Sequence, residues 1–385
     1  MIGTVPDGWR VEKLGSNFIA KIIMGQSPTS SSYNSNKDGL PFYQGKKDFG
    51  KKYPIAKEYS NAPKKIALKD DILFCVRAPV GITNIATEKC CIGRGLSAIR
   101  TNNLNCLNDF LRYFFIRNEK RISDRGRGST FLSINKKDLE ELEIPIPPLQ
   151  QQKKIVKVLD TSSLLIEKQK ELLQQYDLFL KAKFIEMFGD PIKNPMGWEI
   201  VKLNKYGSLA RGKSAHRPRN APFLYGGKYP FIQTGDITKG NSIYLKNYKQ
   251  TYSEDGIKQS KLFPKDTIAI TIAANIGDTK ILSFDCYFPD SVVGFNVENP
   301  LFVSSLFSYY KSKLEQQATK TAQKNINLQV LNNLDVLFPP ITLQNKFALI
   351  VEKIEIIKAK ESEKLKYYEI LHKGLMDKAF KGEIK

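Results

Sequence analysis

One segment of the sequence has the spacing of a phosphate-binding loop. Residues 207–214 match G-x-x-x-x-G-K-[ST], a pattern in which glycine amides cradle phosphates at the start of a helix. Here Pro218 and Pro222 follow, and proline is not tolerated inside a helix. A similar segment, residues 24–28, has no lysine. A Gly-x-Ser turn shared by both segments is therefore the favoured interpretation, and an NTPase using Lys213 is the alternative.

The sequence contains few residues that could perform other catalytic chemistry. The sequence contains two histidines and five cysteines without a Cys-x-x-Cys pair, so we expect neither a metal site nor a disulfide framework. It also lacks the Asn-Pro-Pro-Tyr or Asp-Pro-Pro-Tyr segment of amino-methyltransferases, a glycine-rich cofactor loop and a nuclease carboxylate cluster. We therefore predict a chain that catalyses nothing by itself. The absence of a long apolar run or a signal pattern favours a cytoplasmic location.

The charge of the chain points to an acidic partner. The 385 residues carry a net charge of +21, which is typical of proteins that bind nucleic acid, although a lysine-rich solvated surface would give the same total. Residues 1–150 carry +9 and residues 191–343 carry +8, whereas residues 151–190 and 344–385 carry only +1 and +3. The excess is thus concentrated in two segments, as expected of a protein that grips one polyanion at two places.

Within these two segments, several side chains could contact DNA. Arginine suits bidentate contact to phosphate or guanine, and Arg125 and Arg127 lie in a glycine-containing basic stretch. The second segment has a similar cluster, composed of Arg211, Lys213, Arg217 and Arg219. Gln44 and Gln233 both follow a Pro-Phe-x sequence. A glutamine can read adenine, but a structural amide is equally consistent with this pattern.

The two segments belong to an internal repeat of about 190 residues. Residues 6–9 resemble residues 195–198, and residues 134–135 recur as 326–327. Further matches in the same order make a tandem duplication the simplest explanation. Short apolar runs between turn residues predict strands in each globular segment, and some helix is also expected, so we assign these segments to the α+β class.

A long helix is predicted after each globular segment. Prolines precede residues 152–188, which contain neither proline nor glycine, and also precede residues 344–380, which contain only Gly374. Apolar residues recur with the 4-3 spacing of a coiled coil, interrupted by Ser162 and Gln169. Because a long amphipathic helix does not bury its apolar stripe alone, we expect the two helices to pair as an antiparallel coiled coil.

Together these features resemble the specificity (S) subunit of type I restriction-modification enzymes, over the whole chain. The resemblance is carried by Pro-Asp-Gly-Trp at residues 6–9, by Ile-Pro-Ile-Pro-Pro-Leu-Gln-Gln-Gln at residues 144–152 and by the segment 184–191. It implies target recognition domains at residues 1–149 and 191–341. Spacer helices at residues 150–190 and 342–385 would form the coiled coil, and the whole fold would have an internal pseudo-twofold repeat.

The resemblance also implies function and partners. Each recognition domain would read one half of an asymmetric, bipartite site in double-stranded DNA. The helices would dock methyltransferase (M) subunits, and restriction/translocase (R) subunits would join the assembly. S-adenosylmethionine, ATP and Mg would act in those partner subunits, and this chain would bind no cofactor or metal. The alternative to this function is a non-catalytic coiled-coil scaffold or a general nucleic-acid-binding protein.

The resemblance adds two residues to the candidate DNA contacts. The segment 71–77 resembles a first-domain pattern of the family and ends in Arg77, whereas the second copy aligns Ala273 there. Arg94 is a further hypothesis in the first domain. Because the two domains differ at such positions, we expect them to read different half-sites.

Overall fold

The computed structural model describes residues 5–124, 133–319 and 325–384. The chain divides into two compact units. The first unit contains Met1–Lys168 and Lys366–Lys385, and the second contains Gln169–Leu365. Each unit therefore includes one globular segment and parts of both long helices.

The first unit contains two main sheets and a two-stranded ribbon. Its strands are β1 Arg10–Lys13, β2 Ala20–Met24, β3 Tyr33–Asn34, β4 Leu40–Tyr43, β5 Glu58–Ser60, β6 Ile66–Ala67, β7 Ile72–Cys75, β8 Thr83–Ile85, β9 Cys90–Ile92, β10 Leu96–Thr101 and β11 Glu143–Ile146. One sheet has the order β2-β10-β7-β8, another β3-β5-β4-β9-β6, and β1 pairs with β11. The helices are α1 Asn108–Ser123, α2 Lys136–Glu140 and the start of α3 Leu149–Phe188.

The second unit has the same plan. Its strands are β12 Ile200–Lys202, β13 Gly207–Arg211, β14 Tyr225–Phe231, β15 Tyr244–Leu245, β16 Gln250–Tyr252, β17 Leu262–Phe263, β18 Ile268–Thr271, β19 Thr279–Leu282, β20 Cys286–Tyr287, β21 Val292–Val297 and β22 Asp335–Leu337. The sheets have the orders β13-β21-β18-β19-β15 and β16-β14-β20-β17, and β12 pairs with β22. The helices are α4 Thr234–Ile237, α5 Glu254–Lys258, α6 Pro300–Phe307, α7 Lys311–Thr319, α8 Leu328–Asn332 and α9 Ile341–Phe380.

The repeated topology confirms the α+β class and the internal duplication. All four residues of β7 and all four of β18 are buried, as expected of apolar strands at the centre of a sheet covered on both faces. Asn135 and Asn327 each accept a hydrogen bond from the backbone N–H three residues later and so cap α2 and α8. The equivalent asparagines thus perform the same local function in both copies.

The two long helices end at the predicted residues and begin three residues before the predicted starts at residues 152 and 344. The backbone N–H groups of Gln152 and Gln344 donate to the carbonyl oxygens of Pro148 and Pro340, which lie just before or at the start of each first turn. At the other end of α3, Gly189 adopts a left-handed φ of +73°, and its N–H donates to the carbonyl of Ile185 at 2.8 Å. A glycine in this conformation is a common helix stop, because it has no Cβ to clash.

Within each unit the helices complete the core of the globular segment. In the first unit, Ile155 of α3 and Phe380 of α9 belong to the main core, and the ring of Phe380 lies 5.4 Å from that of Phe110. In the second unit, Phe184 of α3 contacts Phe347 of α9, with ring centroids 5.3 Å apart. The cores of both units therefore combine residues that are far apart in sequence.

Polar pairs show that the helices run antiparallel within each unit. In the first unit, Ser162 Oγ lies 2.7 Å from His372 Nδ1, and the earlier Gln151 Nε2 donates to the carbonyl of the later Ile384 at 2.9 Å. In the second, Gln169 Nε2 donates to Glu361 Oε2 at 2.7 Å, and Lys358 Nζ lies 2.7 Å from Asp177 Oδ1. The predicted polar interruptions Ser162 and Gln169 are both buried, so they occupy the interface that the 4-3 spacing indicated.

The seam of the second helix differs from the prediction based on apolar spacing. That spacing favours Ile357 as a seam residue, but Ile357 is exposed, whereas Glu355 and Lys358 are buried. Glu355 Oε2 accepts hydrogen bonds from Ser242 Oγ at 2.9 Å and from the N–H of Ile243 at 3.1 Å. Because these charges are paired and hydrogen-bonded, they can occupy buried positions that a count of apolar residues misses.

Removal of the Gln152 amide should destabilise the first unit. The side chain is fully buried, accepts from the N–H of Leu107 at 2.8 Å and donates to the carbonyl oxygens of Asn105 and Pro147. Gln152→Leu leaves these groups without a partner, so we expect the free energy of unfolding to fall by about 2–3 kcal/mol. Urea denaturation measures this loss. Gln150→Leu, an exposed position on the same helix, is the control, and an equal loss there would contradict the assignment.

The Ser162–His372 pair should make the stability of the helix pair depend on pH. Burial lowers the pKa of His372 from its usual 6.5, so folding favours the neutral ring. The unfolded chain then binds the proton more readily, and stability is lost as the pH falls through the pKa of the folded state. We expect the free energy of unfolding to drop from about pH 8 to about pH 5.5, with a smaller drop in His372→Gln. The exposed Lys373→Gln variant should follow the wild type. Identical profiles for wild type and His372→Gln would refute the role of this ring.

Candidate nucleic-acid interface

Three of the predicted DNA contacts meet in one cleft of the first unit. Gln44 follows β4, Arg77 follows β7, and Arg94 lies between β9 and β10. Together with Lys46 they line a cleft of about 220 Å³, here named the first cleft, whose other lining residues are Ser27, Gly45, Ala78 and Gly95. The three segments are held together by backbone hydrogen bonds, since Gly93 N–H donates to the Tyr43 carbonyl at 2.8 Å and Val76 N–H donates to the Gly95 carbonyl at 3.0 Å.

The first cleft is strongly cationic. Lys46, Arg77 and Arg94 are exposed, and no carboxylate side chain lines the cleft among the described residues. Within the same described part of the chain, none of these three side chains forms an ion pair. Unpaired cations beside one another attract an anion or the acceptor edge of a base.

Gln44 is fixed in one orientation in the first cleft. Its backbone N–H donates to Asp48 Oδ2 at 2.6 Å, and its side-chain amide nitrogen donates to Glu58 Oε2 at 2.9 Å. A carboxylate only accepts hydrogen bonds, so the NH₂ group is the one that faces Glu58. Gln44 therefore has the internal partners of a structural amide.

In the second unit, three of the four basic residues of the predicted cluster have internal partners. Arg211 Nε donates to the Asp290 carbonyl at 2.5 Å, and Arg219 Nη2 donates to Asp290 Oδ2 at 2.7 Å. Arg217 Nη1 donates to backbone carbonyls of its own loop, including that of Ser214 at 2.7 Å. Lys213 is exposed on the same connection. The four residues lie close together along the chain, but two of them converge on a carboxyl-bearing residue that sequence reasoning missed.

Gln233 occupies the place of Gln44 in the second unit. Its backbone N–H donates to Asp236 Oδ2 at 3.0 Å, and its side-chain amide nitrogen lies 2.6 Å from Gln250 Oε1. The partner here is an amide in place of the carboxylate Glu58. The remaining predicted contacts, Arg125 and Arg127, lie outside the described residues.

The segment with phosphate-loop spacing does not lead into a helix. β13 ends at Arg211, and residues 212–221 form turns and extended chain. A Cβ atom on Gly212 would lie 2.3 Å from the Pro289 carbonyl oxygen, and one on Gly25 would lie 2.1 Å from the Gly93 carbonyl oxygen. Both glycines thus permit the same close approach of two backbone segments, which supports the shared Gly-x-Ser turn.

Comparison with known proteins identifies the family of this chain. The sequence model of the family described as Type I restriction modification DNA specificity domain matches residues 6–175 and again residues 195–367. The chain therefore belongs to this family, with two copies of its domain.

Individual relatives agree with this assignment. A stretch of 177 residues is 48% identical to a Methanocaldococcus jannaschii protein provisionally named as the type I restriction enzyme MjaX specificity subunit, covering 45% of this chain and only 42% of that relative. The type I restriction enzyme MjaIX specificity subunit of the same organism is 25% identical over 394 residues, covering 92% of this chain and 88% of the relative. The crystal structure of a type I restriction-modification S subunit from M. genitalium has a TM-score of 0.58 at 16% identity, covering 98% and 97% of the two chains, and shares the fold.

A close backbone approach at Gly25, beside the first cleft, gives a test of the architecture of the cleft. Gly25→Ala would place a methyl group against the carbonyl oxygens of Gly93 and Leu96, both of which belong to backbone that cannot rotate away. We expect a loss of about 1–3 kcal/mol in the free energy of unfolding, typical of overpacking. Calorimetry or urea denaturation measures it. The matched control is Gly45→Ala in the same cleft, where a Cβ meets nothing within 4 Å. If Gly25→Ala and Gly45→Ala have the same free energy of unfolding, the close backbone approach at Gly25 does not constrain this part of the fold.

Proposed function

We propose that this chain is the DNA sequence-specificity subunit of a type I restriction-modification enzyme and that it reads an asymmetric, bipartite site in double-stranded DNA. The observation that carries the proposal is the first cleft, in which three exposed cations meet on a rigid backbone frame. A second copy of the same frame carries different side chains in residues 191–341. Two recognition domains of unequal chemistry suit two unequal half-sites.

The proposal assigns the chemistry of the enzyme to partner subunits. This chain docks methyltransferase (M) subunits, and restriction/translocase (R) subunits complete the assembly. S-adenosylmethionine, ATP and Mg act in those partners, and this chain supplies recognition without catalysis. Among the described residues, no group of three or more His, Cys, Asp or Glu is placed to hold a metal ion. Burial raises the pKa of Cys75, Cys90, Cys106 and Cys286 to about 12, which keeps these thiols protonated and unreactive.

The proposed location is the cytoplasm, where the DNA of a prokaryotic cell lies. Among the helices in the described part of the chain, none is long and apolar enough to cross a membrane. The scaffold alternative would not need the positive charge of the two globular segments, whereas DNA recognition makes direct use of it.

A map of modified adenines in genomic DNA tests the proposal directly. Cells that contain the partner methyltransferase are compared with and without this chain, and a third strain carries the chain restored on a plasmid. We expect one asymmetric bipartite motif to lose its modification without the chain and to regain it on restoration. An unchanged map would argue for a scaffold.

Binding of the assembled complex to DNA should also weaken steeply with salt. Neutralised phosphates release counterions, so six to ten phosphate contacts correspond to a loss of about 10³- to 10⁵-fold in affinity between 50 and 200 mM salt. Fluorescence anisotropy with a labelled duplex measures the slope. Affinity that is independent of salt would contradict nucleic-acid binding by the cationic cleft.

A further inference from the structure

The backbone frame of the first cleft recurs in the second globular segment, and the surface around this second copy is here named the second cleft. Val76 N–H donates to the Gly95 carbonyl at 3.0 Å, and Ile272 N–H donates to the Ser291 carbonyl at 3.0 Å. The bridge between Arg77 and Ser133 is matched by a bridge between Ala273 and Asn325.

A second set of contacts agrees with this correspondence. Gln26 N–H donates to the Ile92 carbonyl at 3.0 Å, and Lys213 N–H donates to the Phe288 carbonyl at 3.1 Å. These matches place Arg77 and Ala273 at one equivalent position. They place Arg94 and Asp290 at a second equivalent position, because Arg94 directly precedes Gly95 and Asp290 directly precedes Ser291.

The charge is reversed at one of these equivalent positions and lost at the other. The first cleft has Arg77 and Arg94, whereas the second has Ala273 and Asp290. Lys46 also has no counterpart, because the turn after Gln233 is one residue shorter and contains Thr234 and Gly235 before Asp236. One backbone frame therefore presents cationic donors in the first unit and a carboxylate acceptor in the second.

A guanidinium group and a carboxylate require different hydrogen-bonding partners on DNA. A guanidinium group only donates hydrogen bonds, so Arg77 and Arg94 require acceptors such as guanine O6 and N7 or phosphate oxygens. A carboxylate only accepts and is repelled by phosphate. In the major groove its partner is the exocyclic amino group of cytosine or adenine.

Asp290 is positioned for such a contact. Its side chain is 34% exposed and is held at 2.7 Å by Arg219, whose own side chain is 48% exposed. Its backbone carbonyl is fixed separately by Arg211. The contact with Arg211 therefore holds Asp290 in place independently of the ion pair, and the exposed Arg219 side chain supplies a cation suited to phosphate.

We propose that the equivalent clefts read opposite hydrogen-bonding chemistry. The first cleft contacts an acceptor edge of DNA through Arg77 and Arg94, and Asp290 reads an exocyclic amino group in the other half-site. This inference rests on the proposed function as a specificity subunit, and it adds Asp290 as a specificity-determining residue.

The test uses the complete complex with its partner methyltransferase and compares modification motifs among chain variants. Asp290→Ala should relax one base pair in one half-site, so that sites with the wrong base there are modified about 5- to 150-fold more efficiently relative to the cognate site. Arg219→Ala is the matched control, because it removes the same ion pair but leaves the carboxylate. It should weaken binding to all sites alike and retain the motif.

The first cleft is tested in the same way. Arg94→Ala and Arg77→Ala should relax a position in the other half-site if the acceptor is guanine. If either variant instead lowers modification of all sites equally and reduces the salt slope, the acceptor at that residue is phosphate. A relaxed base position and a uniform loss with a lower salt slope would both support the proposal that the first cleft donates hydrogen bonds to DNA. Unchanged binding in both variants would refute it. Thermal unfolding of each variant complex is the control that distinguishes a change in recognition from a loss of folding.

The result that overturns the role of Asp290 is an identical change in Asp290→Ala and Arg219→Ala, since the carboxylate would then act only through the ion pair. An unchanged motif in Asp290→Ala would also refute it. Failure of the proposed function is distinguishable, because removal of the whole chain would then leave the modification map unchanged.

Discussion

The fold depends on the need of two forty-residue helices to bury an apolar face that neither can bury alone. Each unit satisfies this need with the beginning of one helix and the end of the other. Phe380, near the last residue of the chain, packs on Phe110 in the first unit, and Phe347, at the start of α9, packs on Phe184 in the second. The first globular segment therefore completes its core with residues from the far end of the sequence. This explains why the unit boundaries cut through both helices, at residues 168–169 and 365–366.

The parts of the fold that sequence predicts well are those set by local chemistry. Prolines before residue 149 and glycine after Phe188 define a helix without any tertiary contact, and the seam residues Ser162 and Gln169 follow from spacing alone. The second seam was predicted less well, because buried Glu355 and Lys358 interrupt the apolar pattern there. Their burial depends on a loop at Ser242, more than one hundred residues away, that supplies hydrogen bonds. Local spacing contains no information about such a partner.

The sequence predicted which residues belong to the candidate interface, but it predicted only part of their arrangement in space. A repeated Pro-Phe-x sequence singled out Gln44 and the family resemblance singled out Arg77, and the fold brings both into one cleft with Arg94, a further candidate. The internal constraints on Arg211 and Arg219 were not foreseen, because they arise from Asp290, which lies 79 and 71 residues further along the chain. A signal for Asp290 was nevertheless present in the repeat. The offset of 196 that aligns residue 70 with 266 also aligns Arg94 with Asp290. A comparison of the charges at aligned positions of the two repeats, in addition to the identical residues, would have revealed the change from Arg94 to Asp290.

The reversal also has a physical basis in how the clefts are held. The hydrogen bonds that define both frames join backbone atoms at Gly95 and Ser291, and the close approach requires only glycine at positions 25 and 212. The side chains of Arg94 and Asp290 take no part in these backbone contacts. A change from cation to carboxylate at this position thus leaves the frame intact and alters only the group presented to a ligand. Duplication of such a domain yields two sites with the same backbone hydrogen bonds and independent side-chain chemistry, which is the property that recognition of two unlike half-sites requires.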